Sequence, residues 1–152
     1  MKLDHDRLQK YLDEIAAETI DVEGLLHQEP RKPIDIVGNP TVLKSLKYST
    51  IVIAEAIASV LQHILAKKHN TVIDGYTSVF TKSKEHKVIS TELMARLQPF
   101  IRFRNMLVHQ YWRVDDNVFE NNLRNGLNDF RLFVAEIKKN IREDREEAKE
   151  KD

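Results

Sequence analysis

The residues best suited to chemistry lie between Phe100 and Asp116, in the sequence PFIRFRNMLVHQYWRVDD that begins at Pro99. This window holds three arginines, an asparagine, a histidine, a tyrosine and the only tryptophan of the chain. Arginine presents a planar fork of donors that matches phosphate oxygens, and histidine transfers protons near neutral pH. Such residue types suit the cleavage of a phosphodiester, in which a proton leaves an RNA 2′-hydroxyl and another reaches the departing 5′-oxygen.

Helical spacing brings some of these side chains together and separates others. With roughly 3.6 residues per turn, Asn105 and His109 lie on one face, where asparagine could orient the imidazole or donate to a phosphate. Arg104 and Tyr111 also share a face, but Arg104 and His109 are about 140° apart on a regular helix. One regular helix therefore does not direct Arg104, His109 and Tyr111 to one point. The helix ends near His109, or a second subunit completes the site, or both.

Several neighbouring side chains have two possible roles each. Arg102 and Arg113 either extend a phosphate-binding track or are solvated. Trp112 either stacks on a base or packs against protein. Glu55 lies in the most apolar part of the chain, where a charge needs a partner, and the candidates are an arginine of the window or a surface lysine.

No pattern of metal ligands accompanies this window. The chain has no cysteine and no HExxH sequence, and the acidic pair Asp115 and Asp116 has no partners at ligand spacing. The sequence therefore predicts a site with no metal and no cofactor.

Composition limits the class of protein. At 152 residues the chain is expected to form one domain, residues 1–141, followed by a charged tail, residues 142–152, that frays. Its 24 basic and 24 acidic side chains cancel, which argues against a histone-like coat of nucleic acid but not against a local basic cleft.

The N-terminus has no apolar run, and the apolar stretch 51–65 is too short and interrupted to span a bilayer. We expect a cytoplasmic protein with no membrane segment.

Hydrophobic periodicity predicts an all-α, up-and-down bundle of four main helices plus a short helix or arm. The four helices are expected at residues 3–27, from an N-cap at Thr41 to about Lys68, from Ser90 into the central window, and from about Val118 to Ile141, with the arm at 76–86.

Prolines and β-branched residues qualify this pattern. Pro30 and Pro33 should end the first helix, and Pro99 should kink or interrupt the third. The run 51–58 is rich in β-branched residues, so a strand is the alternative there, although the length of the pattern favours a helix.

The sequence RNMLVHQYW, residues 104–112, resembles the HEPN superfamily and, within it, the HepT-like toxins. The hallmark of that group, R-x-x-x-x-H-x-Y, is matched by Arg104, His109 and Tyr111. The resemblance continues in KYSTIVIAEAI of the second helix, in the arm, in VDD after the motif and in L-x-D-F-x-x-F of the last helix. It covers nearly the whole chain from Lys2 to Ile141.

This resemblance implies a homodimer whose motif-bearing helices meet at a shared cleft. It also implies a metal-independent endoribonuclease, a toxin paired with an MNT-type nucleotidyltransferase antitoxin. Arg104 and His109 would then be catalytic, with Asn105 and Arg102 in support. Tyr111 would contact RNA and accept AMP from the antitoxin, which would inactivate the enzyme. A non-catalytic helical partner of a nucleotidyltransferase, binding nucleotide or RNA, is the alternative.

Overall fold

The computed structural model describes residues 2–27 and 36–151. Within these ranges the chain is all-α. Its helices are α1 His5–Leu26, α2 Pro40–Lys68, α3 Tyr76–Glu85, α4 Thr91–His109 and α5 Asp116–Glu150, with a 3-10 turn at Tyr111–Arg113 between α4 and α5.

The first two helices begin at side-chain caps. The Asp4 carboxylate accepts a hydrogen bond from the Arg7 backbone N–H at 3.0 Å and starts α1. The N-cap of α2 is Asn39, whose side chain accepts from the Val42 N–H at 3.3 Å, so the predicted cap at Thr41 is wrong. Pro40 fits the first helical position, because the N–H that proline lacks has no partner there.

The predicted helix over residues 51–58 is confirmed, since this run lies inside α2. The predicted ends at Pro30 and Pro33 lie outside the described residues. The arm is helical as α3, and the stretch before it, 70–74, is a loop.

The third main helix, α4, begins where the sequence predicts, with the Ser90 hydroxyl accepting from the Leu93 N–H at 3.2 Å. The helix runs without interruption through Pro99 to His109, so Pro99 does not break it. Proline removes one internal hydrogen bond, but the buried face of α4 holds the helix against the core. That face is the predicted one: Leu93, Met94, Leu97, Phe100, Ile101 and Phe103.

The last helix is longer than predicted. Asp115 caps it by accepting from the Asn117 and Val118 N–H groups, and it continues past Ile141 to Glu150. Most of the charged tail, residues 142–150, is therefore part of α5 in this structure, and the fraying expected for residues 142–152 stays a prediction. Asp144 on this extension bonds to His5 Nε2 at 2.9 Å and to Lys68, which ties it to the ends of α1 and α2.

Contacts between helix ends define an up-and-down bundle. The Asp4 N–H at the start of α1 donates to His63 near the end of α2, and Arg124 early in α5 donates to the Leu26 carbonyl at the end of α1. At the start of α4, the Ser90 N–H donates to Glu136 late in α5. Neighbouring helices are thus antiparallel, α2 packs on α4, and α3 lies against α2 and α4.

Aromatic packing fixes α4 on α5. The Phe100 ring meets Phe130 edge-on at 4.7 Å between centroids, and its tip lies so close to Gly126 that a Cβ there would overlap it. Phe103 meets the fully buried Phe119 in the same way at 5.4 Å. These contacts set the depth and rotation of the helix that carries Arg104 and His109.

Among the described residues, α2 is long and apolar enough to cross a membrane by length and composition. The apolar pattern is thus longer than the run 51–65 suggested. However, 67% of its most apolar window is buried inside the bundle. This burial is what the core helix of a soluble protein shows.

Candidate active site

The regular α-helical geometry of α4 ends at His109. Gln110 has non-helical dihedral angles (φ −146°, ψ 55°), and its N–H closes the last turn on the Met106 carbonyl at 2.7 Å. The chain then forms the 3-10 turn Tyr111–Arg113. The predicted helix end near His109 is confirmed.

A surface pocket of about 650 Å³ lies between the C-terminal turns of α4 and the N-terminus of α3. Arg104, Asn105 and His109 all line it. Arg104 and His109 therefore border one pocket although they point in different directions from the helix axis, with Asn105 between them. The remaining lining residues are Asp74, Gly75, Tyr76, Thr77, Ser78, Met106 and Gln110.

The guanidinium of Arg104 is fixed by hydrogen bonds to two neighbours. Nε and Nη2 donate to Glu55 Oε1 at 3.3 and 3.1 Å, and Nη1 donates to Asn105 Oδ1 at 3.0 Å. Of the two partners considered for Glu55, the arginine is the correct one. Three of the five N–H donors of an arginine are engaged in this way, which leaves two for a ligand.

Tyr76 forms the base on which Arg104 lies. The Cζ atom of Arg104 is 4.1 Å from the centroid of the Tyr76 ring, within the range of a cation–π contact. Burial raises the pKa of the Tyr76 phenol far above its usual value; the Arg104 charge opposes this effect, and the Glu55 carboxylate adds to it. The Tyr76 side chain is therefore neutral throughout the physiological pH range.

The catalytic candidates differ in their exposure. The Arg104 side chain is 16% exposed, so its charge acts in a partly desolvated setting where electrostatic interactions are stronger than in water. His109 is exposed, so its imidazole is open to a large substrate and to proton exchange with water. A partly buried cation beside an accessible proton carrier can stabilise and protonate a phosphodiester at one place.

The predicted residues Tyr111 and Arg102 do not line this pocket. Tyr111 begins the 3-10 turn that follows the pocket residue Gln110; 67% of its surface is exposed, and its ring meets Trp112 edge-on at 5.7 Å. Trp112 is 69% exposed, so within the described chain it does not pack against the bundle. Arg102 is exposed on α4, and Arg113 donates to the Gln110 side chain at 3.0 Å.

Sequence reasoning missed the α3 side of the pocket. The segment 74–78 carries no residue pattern that predicts chemistry, and the sequence identifies Tyr76 only as the start of the predicted arm. A tyrosine that follows a glycine at a helix start gives no signal of its own. Its contact with Arg104 depends on how α3 packs against α4.

Comparison with solved structures shows the same fold in other proteins. A chain of a toxin–antitoxin complex solved with AMP-PNP has a TM-score of 0.76 and 17% identity, over 88% of this chain and 98% of that one. A chain from the complex of a tri-AMPylated Shewanella oneidensis HEPN toxin with its MNT antitoxin also has a TM-score of 0.76, at 18% identity, over 88% and 97%. YutE, a cytosolic Bacillus subtilis protein of unknown function, has a TM-score of 0.75 at 15% identity, over 93% of each chain.

At these identities the solved structures establish the fold alone. No curated protein matches the chain. The family model of the HepT-like ribonucleases matches residues 6–137, which is most of the sequence and includes every residue that lines the pocket. The protein belongs to the HepT-like ribonuclease family.

Proposed function

We propose that this protein is a metal-independent endoribonuclease and the toxin of an MNT/HEPN toxin–antitoxin pair. The observation that carries the proposal is the shared pocket of Arg104, Asn105 and His109 in a chain of the HepT-like family. These three side chains supply a cation, a neutral hydrogen-bonding group and a proton carrier. Cleavage of RNA by its own 2′-hydroxyl requires these groups and no other co-reactant.

In the proposed reaction the RNA 2′-oxygen attacks the adjacent phosphorus, and the bond from phosphorus to the 5′-oxygen breaks. His109 takes the 2′-hydroxyl proton or returns one to the departing 5′-oxygen, and water exchanges the other proton. The two free N–H donors of Arg104 bind the phosphate oxygens and stabilise the charge of the transition state. The products are a 2′,3′-cyclic phosphate and a 5′-hydroxyl end.

Asn105 supports both Arg104 and His109 in this reaction. Its amide oxygen accepts from Arg104, which leaves its NH₂ group for the phosphate or the imidazole one turn further along α4. Arg102 would act farther out, on a neighbouring phosphate of the RNA, since it lies on α4 outside the pocket lining.

A homodimer would bring a second copy of this site to the same cleft. Exposed apolar side chains surround the end of α4 and are suited to such a contact. They are Val108, Tyr111, Trp112 and Val118.

Tyr111 is the proposed site of control by a cytoplasmic MNT-type nucleotidyltransferase. Its exposure leaves the phenol accessible to another enzyme, and the related Shewanella oneidensis toxin is AMPylated in the complex with its MNT antitoxin. An attached AMP would add negative charge and bulk beside the pocket. Repulsion of RNA phosphate and steric blockage would then act together.

The test is the chemistry of the cleaved ends. Purified protein and a single-stranded RNA are incubated in EDTA, and the new ends are identified by mass spectrometry. We expect a 2′,3′-cyclic or 3′-phosphate and a 5′-hydroxyl. Cleavage that requires a divalent metal would contradict the proposal. Tight RNA or nucleotide binding without any cleavage would instead support the alternative, a non-catalytic partner of a nucleotidyltransferase.

A further inference from the structure

Tyr76 contacts the proposed catalytic arginine although the two residues belong to different helices. The Tyr76 ring begins α3, and Arg104 lies on its face at 4.1 Å. Phe80, one turn further on, meets the Tyr76 ring edge-on at 5.0 Å between centroids and is itself buried. The Tyr76 ring is therefore held in place by the core through Phe80 and supports the Arg104 guanidinium on its face.

The restraint on Arg104 comes from three directions. Glu55 holds one edge of the guanidinium, Asn105 holds another and the Tyr76 ring covers a face. Glu55 is half exposed, and an ion pair with an exposed carboxylate contributes little because water competes for both charges. A cation–π contact gains strength where the cation is desolvated, as Arg104 is.

The contact uses the ring of Tyr76 rather than its hydroxyl. The hydroxyl oxygen is buried and has no hydrogen-bond partner among the residues that the structure describes. A buried polar group without a partner destabilises a protein, so the hydroxyl contributes nothing to holding Arg104. Phenylalanine would preserve the stacking surface, whereas leucine would remove it.

We propose that Tyr76 is a positioning residue that fixes the Arg104 guanidinium with its two free N–H groups toward the bound phosphate. The inference rests on the proposed function of this pocket. An arginine side chain has several rotatable bonds, and without the ring it would sample orientations that do not meet the transition state. The short helix α3 thus contributes directly to the site.

The experiment compares the kinetics of Tyr76→Leu, Tyr76→Phe and Tyr11→Leu on a fluorescent RNA oligonucleotide in EDTA. Tyr11 is a matched control, because it is also partly buried against the core but lies on α1. We expect Tyr76→Leu to lower kcat about tenfold with little change in KM, because the lost restraint acts in the transition state. Tyr76→Phe should recover most of that loss, and Tyr11→Leu should keep kcat within about twofold of wild type.

Two kinetic outcomes would overturn the inference. If Tyr76→Phe loses as much kcat as Tyr76→Leu, the hydroxyl is the active group. If Tyr11→Leu lowers kcat equally, the effect is general destabilisation.

A second measurement is independent of catalysis. Urea unfolding of Tyr76→Leu, Arg104→Met and the double variant forms a double-mutant cycle. We expect the effect of the double variant on the unfolding equilibrium constant to differ from the product of the two single effects by a factor of about five to ten. If the wild type is inactive but the two substitutions are non-additive, the ribonuclease proposal is rejected and the Tyr76–Arg104 contact stands. If the two substitutions are additive, the role of Tyr76 is rejected.

Discussion

At the scale of single residues, the pocket and the proposed modification site are adjacent but separate. Arg104, Asn105 and His109 share the pocket, while Tyr111 lies outside it and is exposed. The spacing of the motif predicts part of this arrangement, because Asn105 and His109 lie one turn apart on a helix that ends at His109. The contact of Arg104 with Tyr76 is not predictable in this way, since it depends on the packing of two helices.

The exposure of Tyr111 leads to a prediction about modification. Incubation with the cognate nucleotidyltransferase and ATP should add AMP units to the wild-type protein, and Tyr111→Phe should abolish this gain because the accepting oxygen is removed. Intact-mass spectrometry measures the change. Tyr48→Phe is the matched control, because Tyr48 is similarly exposed but lies on α2. Continued labelling of Tyr111→Phe would place the modification elsewhere.

At the scale of elements, α4 carries the site and α5 determines where α4 lies. The apolar face of α4 follows from periodicity alone, and its start follows from the Ser90 cap. The close approach to α5 does not, because it depends on Gly126 facing the ring of Phe100. Likewise, Thr41 has the chemistry of an N-cap, but Asn39 followed by Pro40 provides a better start for α2.

The contact at Gly126 leads to a prediction about stability. Gly126→Ala should destabilise the protein by about 1 kcal/mol, because overpacking costs about 1–3 kcal/mol and exceeds the gain of up to about 1 kcal/mol from helix propensity. Phe100 is 3% exposed and has little room to move. Urea unfolding measures the effect.

Gly24→Ala provides the control for this substitution. Gly24 lies in α1, and a Cβ there would meet nothing within 4 Å. This variant should be unchanged or more stable by up to about 1 kcal/mol. If both alanines shift stability in the same direction, the close packing of α4 on α5 is not what requires glycine at Gly126.

At the scale of the whole molecule, the ends of three helices meet at Asp144. Alternating charges in the tail are typical of a solvated segment, which is why the sequence predicts fraying there. In the structure Asp144 of this segment contacts His5 and Lys68, residues far away in the chain. The bundle itself is predictable, because apolar periodicity identifies each long helix and short connections make neighbours antiparallel.

The Asp144 contacts lead to a prediction about pH. Burial raises the pKa of the Asp144 carboxyl, but hydrogen bonds and charge from Lys68 and His5 outweigh burial and hold this pKa below its usual 3.8. A lowered pKa stabilises the folded state above the unfolded value and loses this effect as the pH falls through the folded value. Asp144→Asn should therefore lower the free energy of unfolding by about 1 kcal/mol at pH 7.

The difference between Asp144→Asn and wild type should shrink as the pH falls below 3.8 and disappear once the Asp144 carboxyl is protonated in the folded state too, because both side chains are then uncharged. Thermal or urea unfolding across the pH range measures it. Glu147→Gln, an exposed carboxyl on the same helix, should change stability by less than about 0.5 kcal/mol. A constant difference between Asp144→Asn and wild type at every pH would contradict the electrostatic explanation.

The most direct test of the central claim is the rate of RNA cleavage by His109→Ala in EDTA. Loss of the general acid–base should lower this rate by at least about a hundredfold, while circular dichroism shows an intact helical bundle. His86→Ala, an exposed histidine outside the pocket, should cleave at nearly the wild-type rate. If His109→Ala cleaves RNA as fast as wild type, the pocket of Arg104, Asn105 and His109 is not the active site.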